Sequence, residues 1–372
     1  MKILAWRKAV VLMPLLISGV LFSLQSAWAE GKLLKAGVIL PLSGEAASVG
    51  TAMRRGLELA LAESRSSSIE LRIEDDGSFN RLAAATAAHK LVDIDQVDLL
   101  LNSAMNTASV LAPILARRKT AGVIIWDSNR RLTQLPGQLY GTGYSTEGAG
   151  QGMADFAIGE LGLRRIAVIC AEDEWSEMIG EAFSSRLQSL GGEVVLHERT
   201  DVSETDFRAL AARMRTLRID AVYAPLFPGA LAAFLRQARA GGLDAAVLSA
   251  DGLLESVVKS AGASAEGVYA TQAWFSPDSP LASRLGEKDP VDLAFAALGY
   301  DAGRLLLELA RKIRISGASP DRDSVLRCIP GLRFQGADGI VSFRRDRQSG
   351  RQEAIVVVRN SRLELFRRRV AE

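Results

Sequence analysis

Two cysteines and two histidines are all the chain offers for thiol, imidazole or soft-metal chemistry. Cys170 and Cys328 stand far apart, so they form no disulfide framework even in an oxidising compartment. Cys170 ends the apolar run Ile166-Ala167-Val168-Ile169 and reads as a small buried hydrophobe. His89 and His197 fall on separate predicted elements without ligand-like spacing, which argues against a metal centre and against a Ser-His-Asp triad. Charge of one sign is also lacking. With 45 basic residues against 43 acidic ones there is no sustained basic stripe for nucleic acid, and Arg344-Arg345 and Arg367-Arg368-Arg369 read as solvated clusters. Long apolar runs are missing except for one, Ala9 to Leu24, which follows Lys2, Arg7 and Lys8 and precedes Ala27-Trp28-Ala29. Positive end, apolar middle and small-x-small exit describe a secretory leader, residues 1–29, cleaved before Glu30. An uncleaved membrane anchor is the alternative, and Pro14, Gly19 and the Ala-x-Ala site weigh against it.

What remains after cleavage, about 343 residues, exceeds the roughly 250–300 at which a single core divides, so two lobes are expected. The mature chain alternates short β runs with helical stretches, the pattern of doubly wound parallel sheets. Strands are predicted over 34–40, 69–73, 99–101 and 122–126, with helices over 48–64, 80–93 and 107–118 between them. A second series follows Gly141-Thr142-Gly143, with strands at 166–170, 193–199, 219–224 and 245–249. A long helix over 290–313 then reads as a return to the first lobe, and strands near 340–344, 353–359 and 363–366 close the chain. In such sheets ligands sit beyond the carboxyl ends of the strands. Asn106, Thr107, Asp127 and Ser128 in the first series, and Trp175, Phe227 and Asp251 in the second, occupy those positions. Trp126, Trp175 and Trp274, the three tryptophans of the mature chain, also fall near strand ends. There they suit either the wall of a cleft or the rim of a core. Asn106, Thr107, Ser128 and Asp251 are equally placed to cap helices.

These segments carry a resemblance. Ala36-Gly37-Val38-Ile39-Leu40-Pro41-Leu42-Ser43-Gly44, Arg55-Gly56-Leu57-Glu58-Leu59-Ala60, the strand ending in Asp75-Asp76, Phe234-Leu235-Arg236-Gln237-Ala238-Arg239 and Leu298-Gly299-Tyr300-Asp301-Ala302 occur in order. Together they resemble the type I periplasmic solute-binding proteins of ABC importers, in the branched-chain amino acid (Leu/Ile/Val) group. The resemblance implies two α/β lobes joined by a three-segment hinge, with crossings near 142–145, 270–274 and 342–350. The N-terminal lobe is then 33–143 plus 272–344, and the C-terminal lobe 144–271 plus 345–368. It implies a monomeric periplasmic receptor, without cofactor, that captures an amino acid, amide or small organic acid and delivers it to an inner-membrane permease. Carried over position by position, Asn106 with Thr107 and Asp127-Ser128 meet the ligand's head, Trp175 and Phe227 close over it, and Asp251 pairs with an ammonium. The chain departs from the pattern at Val49, where an aromatic is common and the pocket is expected to widen. It departs again at Asp127, which puts a negative charge where a ligand carboxylate is usually held. The family's first-lobe disulfide is also absent.

A periplasmic sensor on the same fold is the competing function; a neighbouring permease gene favours transport and a lone sensor kinase favours sensing. An enzyme is the third. Glu172-Asp173-Glu174 supplies carboxylates, but no nucleophile-and-base pair or metal set accompanies them. Binding without catalysis is the expectation.

Overall fold

The computed structural model describes residues 32–64, 68–351 and 353–367; the leader expected over residues 1–29 lies outside them. Among the described residues no helix is long and apolar enough to cross a membrane.

Two sheets organise the chain. The first has five parallel strands: β1 (Leu34–Leu40), β2 (Ile69–Asp75), β3 (Leu99–Asn102), β4 (Ala121–Ile124) and β6 (Leu139–Gly141), in the order β2-β1-β3-β4-β6. β3 and β4 are buried throughout, as strands covered on both faces must be, and are apolar apart from Asn102 at the end of β3. β2 lies at the edge and is only half-buried. The second sheet has seven strands: β8 (Arg165–Ala171), β9 (Glu193–Thr200), β10 (Ala221–Tyr223), β11 (Ala246–Ser249), β12 (Tyr269–Gln272), β15 (Ala354–Arg359) and β16 (Arg362–Arg367). Their order is β16-β15-β12-β11-β10-β8-β9, parallel from β9 to β12 and antiparallel at β15 and β16. Strand order reverses between β1 and β3 in one sheet and between β8 and β10 in the other. These switch points open the crevices in which open α/β sheets bind ligands.

Helices α1 (Ala47–Glu63), α2 (Arg81–His89) and α3 (Met105–Arg117) cross over between the first strands. α4 (Thr146–Gly159), α5 (Glu174–Ser189), α6 (Arg208–Thr216), α7 (Pro228–Ala240) and α8 (Glu255–Ala261) serve the second sheet. After β12 the chain returns through α9 (Pro280–Leu285) to α10 (Pro290–Ile315), which lies along α1. α10 starts where sequence chemistry directs: the Asp289 carboxylate accepts from Val291 and Asp292 N–H, both at 2.9 Å, and Pro290 takes the first helical position. Its backbone meets α1 so closely that a Cβ on Gly299 would lie 1.8 Å from the Met53 carbonyl oxygen. A short helix α11 (Arg322–Cys328) and the hairpin β13 (Arg333–Gly336) and β14 (Gly339–Ser342), pairing antiparallel, complete this lobe. The hairpin and α11 extend beyond the single late strand expected near 340–344. Cys170 is buried and Cys328 half-buried, and neither is in a disulfide.

The first crossing carries β7 (Tyr144–Ser145), paired in parallel with β5 (Asp127–Ser128), and is stitched to the third. Gly141 N–H donates to Arg347 O (2.9 Å) and Ser145 N–H to Arg351 O (3.1 Å). The Ser349 hydroxyl donates to the carbonyls of Thr142 and Gly143 at 3.0 and 3.1 Å. Asp301 of α10, fully buried, accepts from Ala337 N–H (2.6 Å) and pairs with Arg351, whose guanidinium lies 5.8 Å from the Tyr144 ring centre.

Candidate ligand-binding cleft

A cavity of about 680 Å³ opens between the carboxyl ends of the two sheets, and both lobes line it. On the first lobe its wall is built from the segments after β2, β3 and β4, with Glu45 and Ala46 added from beyond β1. Asp75 and Asp76 organise the first of these: Asp75 accepts from Leu42 N–H (2.8 Å) and Gly77 N–H (2.9 Å), and Asp76 from Phe79 N–H (2.8 Å). This folds Ser78 and Phe79 into positive φ (65° and 66°) and presents Phe79 to the cavity. Trp126 follows β4; its N–H donates to Ser103 O and its carbonyl accepts from Tyr144 N–H, both at 2.8 Å. The indole packs on Phe79 (5.6 Å between ring centres) and edge-on to Phe295 of α10 (4.7 Å).

The second lobe supplies Trp175, Phe227 and Asp251. Asp173 caps α5 by accepting from Trp175 N–H (2.8 Å), which sets Trp175 at the helix's first turn. Ser176 joins two of the loops, accepting from Ala171 N–H (2.8 Å) while its hydroxyl donates to Pro225 O (2.5 Å). Phe227 immediately precedes α7, which opens on Pro228, and its ring lies 5.3 Å from that of Trp175. The Gln272 amide donates to the carbonyls of Asp251 (3.2 Å) and Leu253 (3.1 Å) and so shapes the loop after β11.

Two carboxyls face the cavity from opposite lobes. Asp127, 8% exposed, accepts from Met105 N–H at 2.7 Å, the first residue of α3. Burial raises its pKa to about 7, against the lowering effect of that hydrogen bond, and the Asp251 charge adds to the rise. Asp251, 6% exposed, has its Oδ1 without a hydrogen-bond partner among the described residues. Burial lifts it to about 7 as well, while its own backbone N–H and the indoles of Trp126 and Trp175 pull the other way. The Trp126 indole N–H approaches it without closing a hydrogen bond.

Of the residues predicted at strand ends, Asn106, Asp127, Trp175, Phe227 and Asp251 line the cavity. Thr107 and Ser128 do not. Thr107 is fully buried, accepting from the Asn102 amide (2.8 Å) and donating to Ala104 O (3.1 Å). Ser128 is fully buried on the hinge side, donating to Tyr144 O (3.3 Å) and Gln348 Oε1 (3.1 Å). The capping alternative also fails: α3 starts at Met105 behind Ala104, and the N-cap of α8 is Leu254 rather than Asp251. Val49, expected to widen the pocket, is a buried core residue of α1 that does not line it. Trp274 packs on the core instead. Trp126 and Phe79 are lining residues absent from the predicted set. Trp126 carried a signal as a strand-end tryptophan; Phe79 carried none, because its turn has no regular period.

Two doubly wound lobes with a cleft at paired switch points match the fold of type I periplasmic binding proteins. The chain belongs to the periplasmic binding protein family, whose model matches residues 34–362. It is 24% identical over 267 residues, 69% of this chain and 72% of the relative, to a Leu/Ile/Val-binding protein of Citrobacter freundii. Among solved structures, a leucine-binding protein of Thermotoga maritima is 25% identical with a TM-score of 0.79, covering 90% of this chain and 97% of its own. A solute-binding protein of an R. palustris ABC transporter, solved with benzoate, shares the fold at 21% identity and a TM-score of 0.77, over 90% of this chain and 96% of its own.

Proposed function

We propose that this chain is the periplasmic receptor of an ABC importer, capturing a small polar-headed solute in the cleft and delivering it to an inner-membrane permease. One observation carries the reading: a cavity of about 680 Å³, large enough for an amino acid or a substituted aromatic, is walled by aromatics and buried polar groups from both lobes. A ligand touching both walls stabilises the closed arrangement over the open one by its differential affinity, and the closed surface is what a permease reads. Relatives named for leucine, isoleucine and valine, and a neighbour holding benzoate, bring amino acids and small organic acids within the range of this frame. Capture without catalysis is supported by the relatives and solved structures, which are named as binding proteins.

The test is calorimetric titration of the purified mature chain against amines, amino acids, amides and small aromatic acids, followed by uptake of the tightest binder in cells with and without the chain. Micromolar binding together with loss of uptake on deletion supports transport. Binding without any effect on uptake refutes delivery to a permease.

A further inference from the structure

The cleft holds more negative charge than a zwitterionic solute needs. Glu45, Asp127, Glu172, Asp173 and Asp251 line it, against Arg81 alone on the basic side. Arg81 stands exposed at the start of α2, its Nε donating to the Asn106 carbonyl at 3.1 Å. Two 13-residue helices, α7 and α3, bring their N-terminal residues to the cavity, where backbone N–H groups and the helix dipole favour negative charge, and the second of these meets Asp127. The α3 terminus is occupied from within: Met105 N–H donates to the Asp127 carboxylate at 2.7 Å. A second anion brought there would lie against Asp127 inside a desolvated pocket. Acceptors, meanwhile, are in surplus. Asp251 Oδ1 and Asn106 Oδ1 are buried and unpartnered among the described residues, against one buried unpartnered donor among the lining side chains, Trp126 Nε1. Aromatic faces of Trp126, Trp175, Phe79 and Phe227 flank these oxygens, a setting that favours cations as well as apolar bodies.

We propose that the ligand is a small organic cation, a protonated amine on an apolar or aromatic body, that carries no carboxylate. Asp251 and Asn106 accept its N–H groups, Asp127 supplies the second negative charge, and the aromatic walls enclose the body. Charge-assisted hydrogen bonds to a desolvated carboxylate make this the strongest polar interaction the cleft offers. The inference rests on the capture reading given above and narrows its ligand class.

The experiment uses matched compounds that differ only in their charged groups: benzylamine, phenylalanine and benzoate, and isopentylamine, leucine and 4-methylpentanoate. Each is titrated calorimetrically into the ligand-free mature chain at pH 8. Each amine is expected to bind ~10-fold or more tightly than its amino acid, because the amino acid's carboxylate meets the like charge of Asp127 and offsets about one charge-assisted hydrogen bond. The carboxylates without an amine are expected to give no heat. Asp127→Ala frees Met105 N–H and removes the resident anion. It is expected to raise phenylalanine affinity relative to benzylamine by ~10-fold, with thermal melting confirming that the variant folds. Phenylalanine or leucine binding wild type more tightly than its amine, or benzoate binding at all, overturns the inference and leaves solute capture standing. No heat from any of the six, in either protein, counts against the capture reading itself and takes the inference with it.

Discussion

Removing one carboxyl from the cleft is expected to stabilise the ligand-free protein, by an amount that grows as pH rises from about 4 and levels off above about 7. The perturbation is Asp251→Asn. Folding raises the Asp251 pKa from 3.8 to about 7, chiefly by burial. Between those values the folded state binds a proton that the unfolded state has released, so stability falls as pH rises through that window. Each pKa unit is about 1.4 kcal/mol, and three units put the cost of holding this carboxylate charged at up to about 4 kcal/mol above pH 7. Asparagine keeps the shape and carries no charge, so the variant escapes the cost. It also removes the like charge that helps to raise Asp127, which adds to the gain in the same direction.

At pH 4 both proteins hold a neutral group at 251 and their melting temperatures are expected to differ little. At pH 8 the variant is expected to melt higher. About 330 described residues imply an unfolding entropy near 0.7 kcal/mol/K, so 4 kcal/mol corresponds to about 6 °C at most. The assay is calorimetric or circular-dichroism melting of ligand-free wild type and variant at pH 4, 6 and 8, read as the difference between the two at each pH. A difference that does not grow with pH refutes the reasoning. A variant that loses stability at pH 8 would show instead that Asp251 is held by a fixed donor, with its pKa lowered.

Other perturbations probe the walls and the hinge. Trp175→Ala removes a lining ring set by the α5 cap; binding is expected to weaken by about 1–3 kcal/mol, measured calorimetrically, with the ligand-free melting temperature changed by no more than a few degrees. Asp301→Ala leaves Arg351 buried without its partner, and a loss of about 3–5 kcal/mol is expected in thermal melting, with Asp301→Asn falling between variant and wild type. Gly299→Ala places a Cβ 1.8 Å from the Met53 carbonyl, so α1 and α10 must separate; a loss of about 2–3 kcal/mol is expected, and a variant within about 0.5 kcal/mol of wild type would deny the close crossing.

The placement of site residues separates what periodicity can reveal from what it cannot. Strand ends are legible because buried parallel strands are short apolar runs, and the rule that ligands lie beyond them brings Asn106, Asp127, Trp175, Phe227 and Asp251 to one cavity. Side-chain direction needs finer register. The helix predicted from 107 starts at Met105, and in a helix each residue turns the side chain by about 100°. Asn106 therefore reaches the cavity while Thr107, one step on, turns back to Ala104. At Asp127–Ser128 the chain is a two-residue strand paired with β7, and successive side chains in a strand point to opposite faces. Asp127 faces the cleft and Ser128 the hinge. That pairing joins residues 17 apart in sequence, Asp127 to Tyr144 and Ser128 to Ser145 of a chain crossing, and no local pattern announces it. The Phe79 turn is hidden for a related reason, since it depends on Asp75 and Asp76 accepting from backbone N–H groups in two different loops.

Trp126 ties the contents of the cleft to the hinge. Its indole faces Asp251 of the opposite lobe, while its carbonyl accepts from Tyr144 N–H in the first crossing. A Cβ on Gly143 would lie 1.9 Å from that carbonyl, so the crossing can pass Trp126 only as glycine. Tyr144 in turn lies against Arg351 of the third crossing, which pairs with Asp301 of α10. On the proposed capture mechanism, closing the lobes brings Asp251 toward Asp127 and Trp126, and without a ligand that approach sets two carboxyls against each other in a desolvated space. Every pKa unit of such repulsion disfavours the closed form about tenfold. A cationic ligand of the kind proposed converts the same approach into attraction, whereas an uncharged solute of equal shape leaves the repulsion in place. On that proposal, charge supplied by the ligand selects the closed state, and the aromatic walls contribute affinity to both forms in proportion to the surface they cover.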